Sequence, residues 1–272
     1  LNTYDGGIMT IHWGDSVILQ TLGSKKNKSW MMKLQENLTY STHLGQISSE
    51  DIVGKEYGTI IKLTKGSVII LPLLPRFFLR KFQLKTNIMY EDDCSVALTL
   101  GGVGPGSYVG EAGTGSGGLT AFLAYYIRPS GMVYSFDSNI KHLTNARSNL
   151  ESVGLSDHVK FIHHDIKKPL DEKITPLDAF FLDFSTPWEA VHIVTDLLKY
   201  SGRIVCFVPN WGQVETTVET INKHPELIIG EVFEITRRDF TVNPEKHIMR
   251  PLTRNIVFSG IFIQAIKIKG QD

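Results

Sequence analysis

Only two of the 272 residues are cysteine, Cys94 and Cys206, and both stand among apolar neighbours. That excludes a disulfide scaffold and a cysteine-rich zinc site, and leaves both as small buried hydrophobes. Nor is there a bilayer-spanning apolar run. The longest, from Val68 to Leu79, is interrupted by Pro72, Pro75 and Arg76. Charge of one sign is missing as well: 28 Lys and Arg face 28 Asp and Glu, for a formal net charge of zero. Blanket affinity for nucleic acid is thereby disfavoured, while a local basic patch is not. No repeat or low-complexity tract occurs, and no basic-then-apolar signal segment opens the chain. His43 has no second His or acid at metal-ligand spacing, so no metal is expected. These absences lead us to expect a soluble cytoplasmic protein with no membrane partner.

What is present is an ordinary globular composition, 42% apolar, long enough for one large domain or a medium domain with a small companion. The first seventy residues hold short β-rich runs separated by turn residues. They are Ile8–His12, Ser16–Thr21, Ser29–Leu34, Thr39–Ser41, Gly58–Leu63 and Ser67–Leu71. This spacing predicts a small barrel or sandwich. Pro72 and Pro75 mark a boundary, giving expected domains of 1–71 and 72–272.

From about residue 101 strands and helices alternate. Ser107–Gly110, Met132–Phe136, Val159–His163, Ala179–Leu182 and Arg203–Val208 read as strands. Leu119, Phe122, Leu123, Tyr126 and Ile127 fall at helical spacing, and 140–153 and 187–200 read as helices. The order implies an α/β fold, a Rossmann-like, doubly wound parallel sheet with right-handed crossovers. In the tail, Ile228–Ile235 and Val257–Ile268 are strand-like with no helix between them. They are expected to form an antiparallel C-terminal hairpin at the sheet edge.

The strand ending at Gly110 runs into Glu111-Ala112-Gly113-Thr114-Gly115-Ser116-Gly117-Gly118 and then a helix. Glycines let the backbone turn sharply and approach a ligand, and the helix N-terminus behind them offers free N–H groups. Gly113, Gly115 and Gly118 satisfy the dinucleotide pattern G-x-G-x-x-G. Glu111, Gly113, Gly115 and Gly117 satisfy E-x-G-x-G-x-G, the S-adenosylmethionine loop. The glycines alone do not decide between them. Asp137, ending the next strand, is placed to accept hydrogen bonds from ribose hydroxyls. Asp165, after the third strand, is placed to receive an adenine amino group. The competing reading makes each acid a cap for a following helix. Asp183, after the buried strand 179–182, lies where doubly wound folds bind ligands, and is the best catalytic candidate. Pro187 leaves a plain helix-start reading of its loop open.

Taken in order, these motifs resemble the tRNA (adenine-N1)-methyltransferases of the TrmI type. The resemblance rests on residues 111–120, Thr42-His43-Leu44-Gly45, Asp51-Ile52-Val53-Gly54-Lys55, and Asp183 with Pro187-Trp188. It extends to Pro209-Asn210 with Gln213, and to Arg250-Pro251 with Thr253 and Arg254. It implies a class I methyltransferase fold and S-adenosylmethionine held by Glu111, Gly113, Thr114, Gly115, Ser116, Gly117, Gly118, Asp137, Asp165 and Asp183. It further implies methylation of adenine 58, or of 57 and 58, in the tRNA T-loop, and a homotetramer. The family's Gln-Ile-Ile-Tyr-Pro-Lys-Asp is replaced here by Asn87-Ile88-Met89-Tyr90-Glu91-Asp92-Asp93, and its later His-Thr by Phe258-Ser259.

On that reading Asp183 accepts a hydrogen bond from the adenine amino group and stabilises the growing positive charge. The base must leave its stack, and Tyr90, Trp188 and Trp211 are stacking candidates, with core burial the competing expectation for each. Arg237, Arg238, Lys246, His247, Arg250 and Arg254 cluster near the tail hairpin and are expected to hold RNA. Lys25, Lys26 and Lys28 read as a solvated charged turn. Arg76, Arg80, Lys81 and Lys85 are placed to face RNA or a neighbouring subunit. Three alternatives stand beside this reading. They are a nicotinamide-dependent oxidoreductase using the same loop, a non-catalytic RNA-binding subunit, and a methyltransferase acting on protein or a small molecule.

Overall fold

A computed structural model describes residues 10–22, 28–171, 173–243, 247–253 and 258–270. The chain divides into two compact units, Leu1–Lys81 and Phe82–Asp272.

The first unit holds β1 (Ser16–Thr21), β2 (Ser29–Lys33), β3 (Thr39–Thr42), β4 (Gly45–Ser48), β5 (Ile60–Leu63) and β6 (Gly66–Pro72). β2, β1, β6 and β5 form an antiparallel sheet in that order, and β3 and β4 form a separate hairpin. Side chains alternate across a strand. Val17 and Leu19 therefore share one face with Met32, Val68 and Ile70, in a core that includes Ile11, Leu34, Ile47 and Ile52. Ile18 turns to the other face, where it and Phe77 of the 3-10 turn Pro75–Arg80 border the same cavity. Phe77 and Phe78 of this turn are buried, and the Arg80 guanidinium donates to Ser29 Oγ at 2.6 Å. The prolines at 72 and 75 end a strand but not the packing, so the unit continues to Lys81 rather than stopping at residue 71. Of the expected run at 8–12, Ile8 and Met9 lie outside the described residues, and Thr10 makes an isolated bridge to Glu56.

The second unit begins with α1 (Glu91–Gly101), β7 (Tyr108–Ala112), α2 (Gly118–Tyr126), β8 (Met132–Asp137), α3 (Ile140–Ser152) and β9 (Val159–His163). It continues with β10 (Leu177–Leu182), α4 (Val191–Leu197), β11 (Leu198–Val208), α5 (Trp211–Asn222) and β12 (Leu227–Glu234), then β13 (Phe240–Asn243), β14 (Ile248–Pro251) and β15 (Ile261–Lys267). The main sheet runs β12-β15-β11-β10-β7-β8-β9. The five strands from β11 to β9 are parallel, and β15 lies antiparallel between β11 and β12. The doubly wound sheet with an antiparallel C-terminal pair is therefore present. The last strand enters the sheet and leaves β12 at the edge. Between β12 and β15 the chain makes a second hairpin of β13 and β14.

The helix expected over 187–200 is shorter. A 3-10 turn at Pro187–Glu189 precedes α4, and strand begins at Leu198, which pairs with Leu177. Strand pairing overrides helical spacing there. α5 carries three threonines, Thr216, Thr217 and Thr220, poor helix formers in its interior, which hid it from the periodicity. Asn210 starts it, its side chain accepting from Gln213 N. The sheet's strand order reverses beside β7, so the C-terminal ends of β7 and β10 open onto the crevice where such folds bind ligands.

Candidate cofactor and substrate site

A cavity of about 460 Å³ lies at this switch point. Gly113, Gly115, Asp137, Asp165 and Asp183 line it, together with Thr86, Asn87, His142, His164 and Lys167.

The loop after β7 is bound to the end of β10. Asp183 N donates to Ala112 O at 3.0 Å. Gly113 has φ of +95°, and a Cβ built on it would overlap the Asp183 carbonyl oxygen. Only glycine fits where one strand end crosses so close to another. Gly115, at φ +53°, points its N–H at Asp137 Oδ2, 3.0 Å away.

Glu111 lies beneath this loop rather than in the cavity. It is 1% exposed, and its Oε2 accepts from Thr120 Oγ1 at 2.7 Å and Ser135 Oγ at 2.8 Å. Burial pushes its carboxyl up to about 8, against the pull of those two hydroxyls. It is therefore protonated at neutral pH. The Ser135 hydroxyl also bonds Thr114 Oγ1, at 2.7 Å. Ser116 Oγ accepts from the backbone N–H groups of Lys85 and Thr86, at 2.9 and 3.1 Å. This fastens the segment carrying Thr86 and Asn87 to the loop. Of the ten residues expected to hold a cofactor, Gly113, Gly115, Asp137, Asp165 and Asp183 face the cavity. Glu111, Thr114, Ser116, Gly117 and Gly118 brace it from outside its lining.

Asp137 is not a helix cap, since Asn139 caps α3 by accepting from Lys141 N at 3.0 Å. Asp137 Oδ1 accepts from Asn139 N at 2.8 Å, and Oδ2 faces His142 Nδ1 at 3.1 Å. Asp165 Oδ1 accepts from Lys167 N at 3.2 Å, closing a short turn that no helix follows. Asp183 heads no helix either, because the turn after it starts at Pro187. Burial, and then the charge of Asp93, push its carboxyl up to about 6. Asp93 in turn accepts from Ser259 Oγ at 2.8 Å.

The RNA candidates divide. Tyr90 is exposed at the N-cap position of α1, and Trp211 is 69% exposed at the start of α5, so core burial fails for both. Trp188 is half-buried. Arg237 is committed to carboxylates, donating to Asp92 Oδ2 and Asp239 Oδ1 at 2.8 Å each, with Glu91 at 3.8 Å. Asp92 and Asp239 hold its guanidinium above the usual arginine range. Arg238 lies over the Phe240 ring, and Arg250 is exposed on β14. Lys246 and Arg254, like Lys25 and Lys26, lie outside the described residues. The departures at 91–93 and 259 thus meet one another and Arg237 around the first turn of α1, where acids also suit the helix dipole.

Sequence reasoning missed Thr86, His142, His164 and Lys167 as lining residues. His142 had a signal, sitting on the first turn of α3 just beyond Asp137. Thr86 had none, because only its bond to Ser116 brings it there. Among the described residues no group of three His, Cys, Asp or Glu is placed to hold a metal ion.

The strand order, the glycine turn after β7 and the acids beyond β8, β9 and β10 define the class I methyltransferase fold. An S-adenosylmethionine-dependent O-methyltransferase from Thermotoga maritima superposes with a TM-score of 0.81 at 28% identity, covering 97% of this chain and 96% of that one. The tRNA (m1A58) methyltransferase TrmI from Aquifex aeolicus superposes at 0.74 with 24% identity, over 96% and 100% of the two chains, which bears on the fold. The family described as tRNA methyltransferase complex GCD14 subunit matches residues 66–257, and the chain belongs to that family. The tRNA (adenine(58)-N(1))-methyltransferase TrmI of Thermus thermophilus is 28% identical over 223 residues, 81% of this chain and 86% of that protein. The catalytic subunit of the same activity from Cryptococcus neoformans is 32% identical over 213 residues, of which the chain spans about half the length, 48%.

Proposed function

We propose that this chain methylates N1 of adenine 58 in the T-loop of tRNA, with S-adenosylmethionine as methyl donor. The observation that carries the proposal is the placement of Asp183. This partly desolvated carboxyl borders the same cavity as the glycine turn and as Asp137 and Asp165.

The cavity suits the donor. Gly113 and Gly115 let the turn pack closely against Asp183 and Thr86 at the cavity wall, and Asp137 and Asp165 offer carboxylate acceptors toward ribose hydroxyls and an adenine amino group. Each carboxylate oxygen has two lone pairs, so Asp137 retains accepting capacity beyond its present partners. The donor supplies an electrophilic methyl group. The chain's part is to orient the acceptor base and support its charge. Adenine N1 already carries a lone pair, so alignment contributes much of the rate. Asp183 accepts from the exocyclic amino group and stabilises the cation that forms on the ring. Tyr90, Arg238, Arg250, Lys246 and Arg254 are assigned to RNA contact; Arg237 is assigned to ordering the segment that carries them. A homotetramer acting in the cytoplasm completes the reading, with 1–81 as a small β domain and 82–272 as the catalytic domain.

Two measurements test this. Labelled S-adenosylmethionine is incubated with an unmodified tRNA transcript, and the product nucleosides and modified position are mapped. 1-Methyladenosine at 58 is expected, and the same map reads whether 57 is also modified. Incorporation into any other nucleoside, or none, overturns the assignment. Thermal shift then separates the donor from a nicotinamide cofactor. A ligand at one hundred times its dissociation constant adds about 2.7 kcal/mol to stability.

A further inference from the structure

Gln213, on the first turn of α5, stands outside the lining of the cavity, yet its side chain reaches that lining. Its Nε2 donates to Ser185 O at 2.7 Å. Ser185 lies two residues beyond Asp183, and both border the cavity with Phe184 and Thr186.

The direction of this bond is fixed by the groups behind it. Asn210 Oδ1 accepts from the backbone N–H of Gln213 at 3.0 Å, so the other arm of the Asn210 amide is its NH2. That Nδ2 donates to Gln213 Oε1 at 3.1 Å. The remaining arm of the Gln213 amide is then the NH2, the arm able to bond a carbonyl oxygen. Each assignment forces the next, from the start of α5 to the loop after β10.

The simpler account is a helix start. Asn210 is the N-cap of α5 and Gln213 the third helical residue, which is the spacing of a capping box. In that box the side chain at this position turns back to the N–H of the N-cap residue. Here it goes to another element. The cap on α5 needs only the backbone N–H of Gln213, which any residue but proline supplies. The loop that the side chain meets is anchored at its two ends. Asp183 N donates to Ala112 O at 3.0 Å, and Thr186 Oγ1 donates to Glu189 Oε2 at 2.9 Å. Gln213 adds a hold between them. Such a hold matters for rate, since displacing a reacting group by about 1 Å can cost on the order of 10²-fold.

We propose that Gln213 is a positioning residue, whose side-chain amide holds the loop after β10 so that the Asp183 carboxylate meets the acceptor base. It rests on the reading of Asp183 as the carboxylate that orients the adenine. Gln213 acts through Ser185.

Two variants of the full chain separate positioning from capping. Gln213→Glu keeps the length, the backbone N–H and an oxygen for Asn210 Nδ2, and an acid suits the first turn of a helix. It loses the donor to Ser185 O. Gln213→Ala loses the whole side chain and adds no charge. With saturating tRNA transcript and S-adenosylmethionine, kcat is read above pH 8, where Asp183 is ionised. Both variants are expected to lose about tenfold in kcat. S-adenosylmethionine affinity, read by calorimetry, should stay close to wild type, because Asp137 and Asp165 follow other strands. The melting temperature of Gln213→Glu should equal or exceed that of wild type. A wild-type kcat in Gln213→Glu, whatever the alanine variant does, would make Gln213 a capping residue and overturn the proposal while leaving Asp183 in its role. A parallel fall in kcat, cofactor affinity and melting temperature in both variants would mark a folding defect and overturn it as well. A wild-type chain that forms no 1-methyladenosine would overturn both the reading of the site and this inference.

Discussion

Glu111 and Asp183 are two carboxyls displaced from the ordinary range by the same cause, loss of water, with opposite consequences for their use. Glu111 lies under the glycine turn with a pKa of about 8 and is neutral at pH 7. An acid whose folded pKa is raised keeps its proton in the native state when the unfolded chain has lost it. Stability is therefore highest below the unfolded value of 4.5 and falls as pH rises to about 8. Glu111→Gln removes the titration while its amide oxygen can still accept from Thr120 and Ser135. Melting curves from pH 5 to 9 are expected to flatten in the variant. Near pH 8.5 it should exceed wild type by on the order of a few kcal/mol; a wild-type profile already flat over that range would refute the assignment. In the proposed mechanism Asp183, at about 6, acts in its charged form. Its kcat/KM for tRNA should decline below about pH 6. Asp183→Asn should lose on the order of 10²–10³ in kcat and lose that acidic limb. Full activity in the variant would remove the carboxylate from the mechanism.

At the scale of elements, the contact between the β7 turn and the end of β10 is the tightest constraint on the site. Gly113→Ala forces a side chain toward the Asp183 carbonyl at a positive φ. A loss of about 1–3 kcal/mol in stability is expected from the backbone strain, with cofactor binding impaired alongside it. Chemical denaturation and calorimetry of the one variant check both. Around α1, Arg237 ties Asp92 and Asp239 together at an exposed position, where such pairs contribute at most about 1 kcal/mol. Because its guanidinium already has these partners, Arg237→Ala should weaken tRNA binding less than Arg250→Ala does. The reverse order, in a side-by-side titration, would return Arg237 to the RNA contacts. The site's outline was readable in this same unit because strand-then-glycine and strand-then-acid junctions are local. α1 and the Thr86 segment were not, because the positions that secure them, Ser259 and Arg237 for α1 and Ser116 for Thr86, are distant in sequence.

For the whole molecule, net charge is a poor guide to partners, since residues 1–81 hold ten lysines and arginines against six acids and residues 82–272 hold eighteen against twenty-two. RNA held through the arginines and lysines named above requires binding to weaken steeply with salt, log affinity falling linearly with log salt concentration. An affinity indifferent to salt between 50 and 200 mM, measured on the tRNA transcript, would contradict phosphate-based holding. Sedimentation of the purified chain should give four times the 30.5 kDa monomer mass if the expected homotetramer forms. A single 30.5 kDa species would overturn it.

The sequence by itself determined the strand and helix order from β7 to β11, the glycine turn, and the acids at 137, 165 and 183, since each depends on residues close in the chain. Only the tertiary structure decided which of them reach the cavity. A side chain's direction at a turn depends on what the neighbouring strand allows, so Glu111, adjacent to the glycines in sequence, lies below them. Asn87, 26 residues before Gly113, comes to line the cavity beside it. The boundary at Lys81 and the committed charge of Arg237 were decided in the same way. Each depends on burial and pairing between residues that local sequence does not bring together.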